Sequence, residues 1–165
     1  MYTETFSQFK KQLGQLDKWL GMAADYAKAR NFDADVFATL RLAPDQFPLA
    51  RQVQIATDFA KGTVARLAGQ EPPKYEDNET SVEQLKARIA KTIAFIKEFK
   101  PAQIDGSEER DITMVLGGQP RNFKGENYLV GFSLPNFYFH VTTAYAILRH
   151  NGVELGKGDY MRPPG

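Results

Sequence analysis

Phe6-Ser-Gln-Phe-Lys-Lys-Gln-Leu-Gly-Gln-Leu-Asp-Lys-Trp-Leu-Gly-Met-Ala-Ala-Asp-Tyr-Ala27 decides the architecture. Its apolar residues Phe6, Phe9, Leu13, Leu16, Leu20, Ala23 and Ala27 recur at alternating intervals of three and four. On a 3.6-residue helix they form one stripe, with Lys, Gln and Asp on the opposite side. A helix with one apolar stripe has to bury it against other elements, so this stretch predicts a helix bundle.

Two further stripes support that reading. Leu49, Val53, Ala56, Ala60, Val64 and Leu67 keep helical spacing, as do Val82, Leu85, Ile89, Ile93 and Ile96. The second helix is expected to start near Asp45 to Pro48, with Asp45 as cap and Pro48 in the first turn, and to stop at Gly69. Thr80 and Glu83 have the spacing of a capping box for the third helix, and Pro101 marks its end. Residues 31–45 read as a connector pinned to the core by Phe37, Leu40 and Leu42. Residues 70–79, with Pro72-Pro73 and several charges, read as an exposed loop.

Between residues 109 and 124 the period changes to alternation around Gly117-Gly118, the signature of a β-hairpin. The fourth helix is expected over 126–149, kinked near Pro135 and ended by Asn151-Gly152. The fold class is thus all-α: a four-helix bundle with a short β-hairpin inserted before the last helix. Residues 1–160 make a single domain, with 161–165 as a frayed tail.

Composition narrows the function. The 165 residues are 42% hydrophobic and 25% charged, the balance of a globular domain. Twenty-one basic and 20 acidic residues give a net charge of +1 without a long one-sign block, which argues against nucleic acid or an anionic membrane as partner. Cysteine is absent, so disulfides, thiolate metal sites and cysteine nucleophiles are excluded. With no leader pattern and no long apolar stretch, the expected location is the cytoplasm.

Only two histidines occur, His140 and His150. Ten helical residues separate them, placing them about 80° apart and about 15 Å along the axis, too far for one metal ion. His150 falls at a helix C-terminus, where it interacts favourably with the terminal carbonyls. His140 shares a face with Asn136 and Thr143 inside an aromatic run, and a neutral imidazole there can be a metal ligand, a general base or a hydrogen-bonded core group. A serine-type triad with Ser133 or Thr143 lacks a nucleophile elbow and a glycine-rich oxyanion turn. The pairs Glu108-Glu109 and Glu76-Asp77 fall in charged loops and read as solvated surface.

Three stretches resemble one known family. Arg41-Leu-Ala-Pro-Asp-Gln-Phe-Pro-Leu-Ala-Arg-Gln-Val-Gln-Ile-Ala56, the Leu116-Gly-Gly118 turn and Leu134-Pro-Asn-Phe-Tyr-Phe-His-Val-Thr-Thr-Ala-Tyr-Ala-Ile-Leu-Arg-His-Asn-Gly-Val153 are similar to the bacterial DUF1993 group of the DinB/YfiT-like superfamily. The likeness covers nearly the whole chain. It implies a four-helix bundle in which many members hold a divalent metal through three histidines, one on the second helix and two in a His-x-x-x-His spacing on the last. Those positions here are Gln52, Asn136 and His140. One ligand of three is kept, and amides are weak donors for zinc or nickel, so the expectation is against a tightly bound metal of that kind. The same three residues can form a hydrogen-bonded cluster instead.

The superfamily includes thiol-dependent transferases and isomerases, so the resemblance implies a small-molecule transferase or isomerase with its pocket between helices two and four. His140 would be the base or sole imidazole ligand, with Gln52 and Asn136 orienting it and Arg41 receiving an anionic group. Thr143 and Tyr145 complete the candidate ligand-binding set. The alternative is a non-catalytic ligand-binding or interaction protein whose metal site has become a polar core cluster. Relatives that pair through bundle faces imply a homodimer.

Overall fold

Helix α1 (Tyr2–Ala29) carries the opening stripe, and in the computed structural model, which describes residues 2–161, that stripe is the centre of the core. Phe9, Leu13, Leu16, Leu20 and Ala23 have no exposed surface, and Trp19 joins them. The helix packs against α3 and α4. The connector that follows is ordered, with a 3-10 turn over Ala34–Thr39 that Asp33 caps by accepting the Asp35 amide at 2.9 Å. Phe37 is buried beneath it and Leu40 is half-buried. Leu42, expected to pin this segment, is 43% exposed. The anchor is instead Phe37, packed against Tyr26 and Phe32.

Helix α2 (Leu49–Leu67) buries all six residues of its predicted stripe completely. It starts after Pro48, and Asp45 does not cap it. The first free amide, that of Leu49, donates to the Leu40 carbonyl at 2.9 Å, so the connector satisfies a group that a capping side chain would otherwise take. Gly69, with φ of +75°, ends the helix as expected. Helix α3 (Val82–Lys97) has its capping box one residue later than predicted. Ser81 accepts the Gln84 amide at 3.1 Å, and the Ser81 amide donates to Gln84 Oε1 at 3.2 Å. Asp35 fixes this register by accepting the Val82 amide at 2.8 Å.

Strands β1 (Asp111–Leu116) and β2 (Gln119–Lys124) form the antiparallel hairpin, with Leu116 opposite Gln119. Gly117 and Gly118 take φ of +57° and +78°, the positive angles that a two-residue turn of this hand requires. The kink expected near Pro135 is a π-helical turn over Asn127–Ser133 that runs directly into α4 (Leu134–His150). Pro135 lacks the N–H that would bond four residues back, so the helical register is loosened ahead of it. Asn151 caps α4, and Gly152 follows where a Cβ would collide with the Tyr26 hydroxyl. A short α5 (Lys157–Met161), which the periodicity did not reveal, lays Tyr160 on Trp19. Residues 162–165 of the expected tail lie outside the described residues.

Helix α2 is the hub of the bundle, packed on α4 along one side and on α3 along the other. Among the described residues, no helix is long and apolar enough to cross a membrane.

Candidate functional site

His140 is held at the seam between α2 and α4, 8% exposed. Its Nδ1 lies 2.7 Å from Gln52 Oε1, and Gln52 Nε2 donates to the Phe47 carbonyl at 3.0 Å. A carbonyl can only accept, which fixes the orientation of the Gln52 amide and leaves its oxygen facing the imidazole. Nδ1 therefore carries the ring proton, and the lone pair sits on Nε2. No described residue is hydrogen-bonded to that nitrogen. Phe59 stacks parallel to the ring at 6.3 Å between centroids, and Phe139 meets it edge-on at 5.2 Å. Burial, with a smaller contribution from the Arg51 charge, lowers the His140 pKa from 6.5 to about 4. The imidazole is neutral at neutral pH.

The other candidates are placed differently. Asn136 Nδ2 donates to the Phe132 carbonyl and Thr143 Oγ1 to the Phe139 carbonyl, each at 2.7 Å. Both side chains are thus bonded back onto their own helix, flanking His140 without binding it. Ser133 is buried and pairs with Thr63 across the seam. Arg41 is exposed and braces the connector through the Gln46 carbonyl at 2.7 Å. Tyr145 packs edge-on against Trp19 at 5.5 Å and donates to the Leu155 carbonyl at 3.4 Å. Of the proposed set, the structure brings Gln52 and His140 into contact, keeps Asn136 and Thr143 beside them, and holds Tyr145 against α1 and α5.

A divalent transition metal does not fit this donor set. Zinc and nickel favour nitrogen or sulfur ligands, and here one imidazole is accompanied by two neutral amides, of which Gln52 already has its oxygen on the imidazole and Asn136 is turned back to the Phe132 carbonyl through Nδ2. Asp58, the nearest carboxylate on α2, is engaged by Lys61 and Arg88. Among the described residues no three His, Cys, Asp or Glu side chains converge to hold a metal ion.

Clefts of similar size lie on α4, where Leu42, Phe139 and Thr143 line about 420 Å³, and around the loop of residues 70–79, where two adjoin α2 and α3. One of about 420 Å³ is lined by Asp58, Phe59, Lys61, Tyr75 and Met114. Another of about 450 Å³, on the far side of Tyr75, is lined by Lys74, Glu79, Arg88 and Lys91. His140 lines neither, although Phe59 is shared between its stack and the first cleft. Arg88, 2% exposed in its side chain, is the centre of this region and pairs with Asp58, Asp77 and Glu79. Reading the acidic loop as solvated surface missed this cluster. The available signal was Arg88 itself, which occupies the inward stripe of α3 beside Leu85, Ile89 and Thr92.

Comparison with known proteins agrees with this architecture. The model of the family described as "Domain of unknown function (DUF1993)" matches residues 1–161. The crystal structure of a DinB family member protein from Shewanella denitrificans is 42% identical, with a TM-score of 0.87 over 95% of this chain and 89% of that one. No curated protein matches the chain. Bundle, hairpin and whole-length match together show that this chain belongs to the DUF1993 family, within the DinB-like superfamily.

Proposed function

We propose that this protein binds a small molecule without a transition metal, and that the position of the superfamily's metal site has become a hydrogen-bonded polar pair. The observation that carries this reading is the relay from His140 Nδ1 through Gln52 to the Phe47 carbonyl. It uses both ends of the amide, ties the connector to α2 and α4, and leaves one functional atom, the His140 Nε2 lone pair. That atom accepts a hydrogen bond from a hydroxyl, amide or thiol group of a ligand.

Elemental mass spectrometry on protein purified without chelator or affinity-tag nickel tests it, alongside His140→Ala. Absence of bound metal, with a raised melting temperature on adding a low-molecular-weight thiol, is the expected result. One metal per chain, lost in the variant, would overturn it.

A second reading, transferase or isomerase chemistry with His140 as general base, is favoured by the same unpaired Nε2, neutral at neutral pH. It predicts that His140→Gln removes turnover while leaving ligand-induced stabilisation in place.

A further inference from the structure

Nine residues beyond Gln52, half a turn round α2, Lys61 faces the opposite seam. Its side chain is 6% exposed, an unusual degree of burial for lysine. Asp58 holds Nζ from one turn below, and the ammonium lies 4.5 Å over the Tyr75 ring. Arg88 and Lys91 approach the same ring, at 5.3 Å and 4.2 Å. Asp58 is shared, because Arg88 Nη2 also takes it at 2.9 Å, so Lys61 has only part of one carboxylate as counter-charge. Burial outweighs that carboxylate and lowers the Lys61 pKa below the ordinary value, with Arg88 adding to the effect and Asp77 opposing it. The cleft that Lys61 lines, about 420 Å³, is within the size range of small-molecule sites. Arg66 and Lys74 line it too, alongside Phe59 and Met114.

We propose that Lys61 is an amine nucleophile for a small carbonyl compound carrying a carboxylate, such as a 2-oxo acid, bound in the cleft between α2 and Tyr75. Asp58 takes one proton from the Lys61 ammonium. The free amine attacks the carbonyl carbon, forming the C–N bond and, after proton transfer from nitrogen to oxygen, a carbinolamine. Asp58 returns its proton to the hydroxyl, which leaves as water, and the product is an iminium ion on Lys61. One water is lost and the charge is conserved. Arg66 and Lys74 supply the cationic side of the cleft for the substrate carboxylate. This site is distinct from His140, so the failure of either reading leaves the other standing.

Borohydride trapping tests the proposal directly. The whole chain is incubated with glyoxylate near neutral pH, reduced, and mapped by peptide mass spectrometry. One adduct per chain is expected, at Lys61, forming faster than at exposed lysines such as Lys157, because the amine sits in a cleft that binds the carbonyl compound beside it. The rate at Lys61 should saturate with glyoxylate, because binding precedes reaction. Lys61→Arg, which keeps the charge beside Asp58, should lose the adduct. Labelling spread over exposed lysines with Lys61 unmodified, or a rate at Lys61 that rises linearly without saturating, would overturn the proposal. Both readouts come from the unsubstituted protein, so they hold whether or not the variant folds.

Discussion

The two sides of α2 meet the same difficulty, polar side chains taken out of water, with opposite solutions. On the side facing α4, His140 gives up its charge, and a neutral imidazole is completed by one amide that is itself anchored on a backbone carbonyl. On the side facing α3, Arg88 cannot give up its charge, and it is surrounded by Asp58, Asp77 and Glu79, with Thr57 accepting from Nε at 2.7 Å. Burying a group that can be neutralised costs little more than a hydrogen bond. A permanent cation requires a full set of counter-charges. The loop of residues 70–79 therefore belongs to the core energetically, although most of its residues are exposed.

The contrast is broken most directly at Arg88. Arg88→Ala removes the partner of three carboxylates and should destabilise the fold by roughly 3 kcal/mol, the low end for a buried pair. The low end applies because the Asp58 and Asp77 side chains are 38% and 36% exposed and regain water when released. Arg88→Lys restores charge without the planar fork and should recover only part of the loss. Urea denaturation measures both, and wild-type stability in Arg88→Ala would mean that the α3 side is ordinary surface.

The α4 side is sharpened by pH. Because the folded His140 pKa, about 4, lies below its ordinary 6.5, the unfolded chain binds more protons between those values. This contribution to stability is complete above pH 6.5 and is lost as the pH falls toward 4. The full effect is about 3 kcal/mol on the scale of 1.36 kcal/mol per pKa unit. Carboxylates titrate in the same range, so the quantity to measure is the difference between the wild type and His140→Gln. Parallel stability curves for the two proteins would show that the imidazole is not buried as described.

Removing Gln52 probes the relay itself. Gln52→Leu leaves His140 Nδ1 and the Phe47 carbonyl without partners, at a cost of about 1–3 kcal/mol. The cost should shrink when His140→Phe is already present, and a double-mutant cycle reads that coupling. Strict additivity would mean that the two side chains do not depend on each other.

The same contrast explains what could be read in the sequence. Apolar periodicity placed the first three helices, and alternation placed the hairpin, because burying a stripe or a face is a local instruction repeated every few residues. Gln52 and His140 were paired by family resemblance, since 88 residues separate them and no spacing rule joins them. The Arg88 cluster was illegible for a related reason. Glu76, Asp77 and Glu79 look like solvated loop charges until the chain folds back onto α3, and nothing local announces that return. The helix starts shifted by a residue or so where a distant group, the Leu40 carbonyl or the Asp35 carboxylate, accepts the first helical amide.

A region remote from both sides of α2 supplies the baseline for these differences. Gly118 sits at φ of +78° in the hairpin turn, with nothing within 4 Å of where a Cβ would be. Gly118→Ala therefore meets only the backbone penalty of a left-handed conformation, about 1 kcal/mol. It should leave the His140 titration and the reactivity of Lys61 unchanged, since neither residue draws on the hairpin turn for a hydrogen bond. A shift in the His140 titration in this variant would show that the α4 side is coupled to the hairpin, through the chain of ring contacts from Phe123 to Phe132 and Phe59 that joins β2 to the imidazole. An unshifted titration confines the imidazole's environment to α2, α4 and the connector.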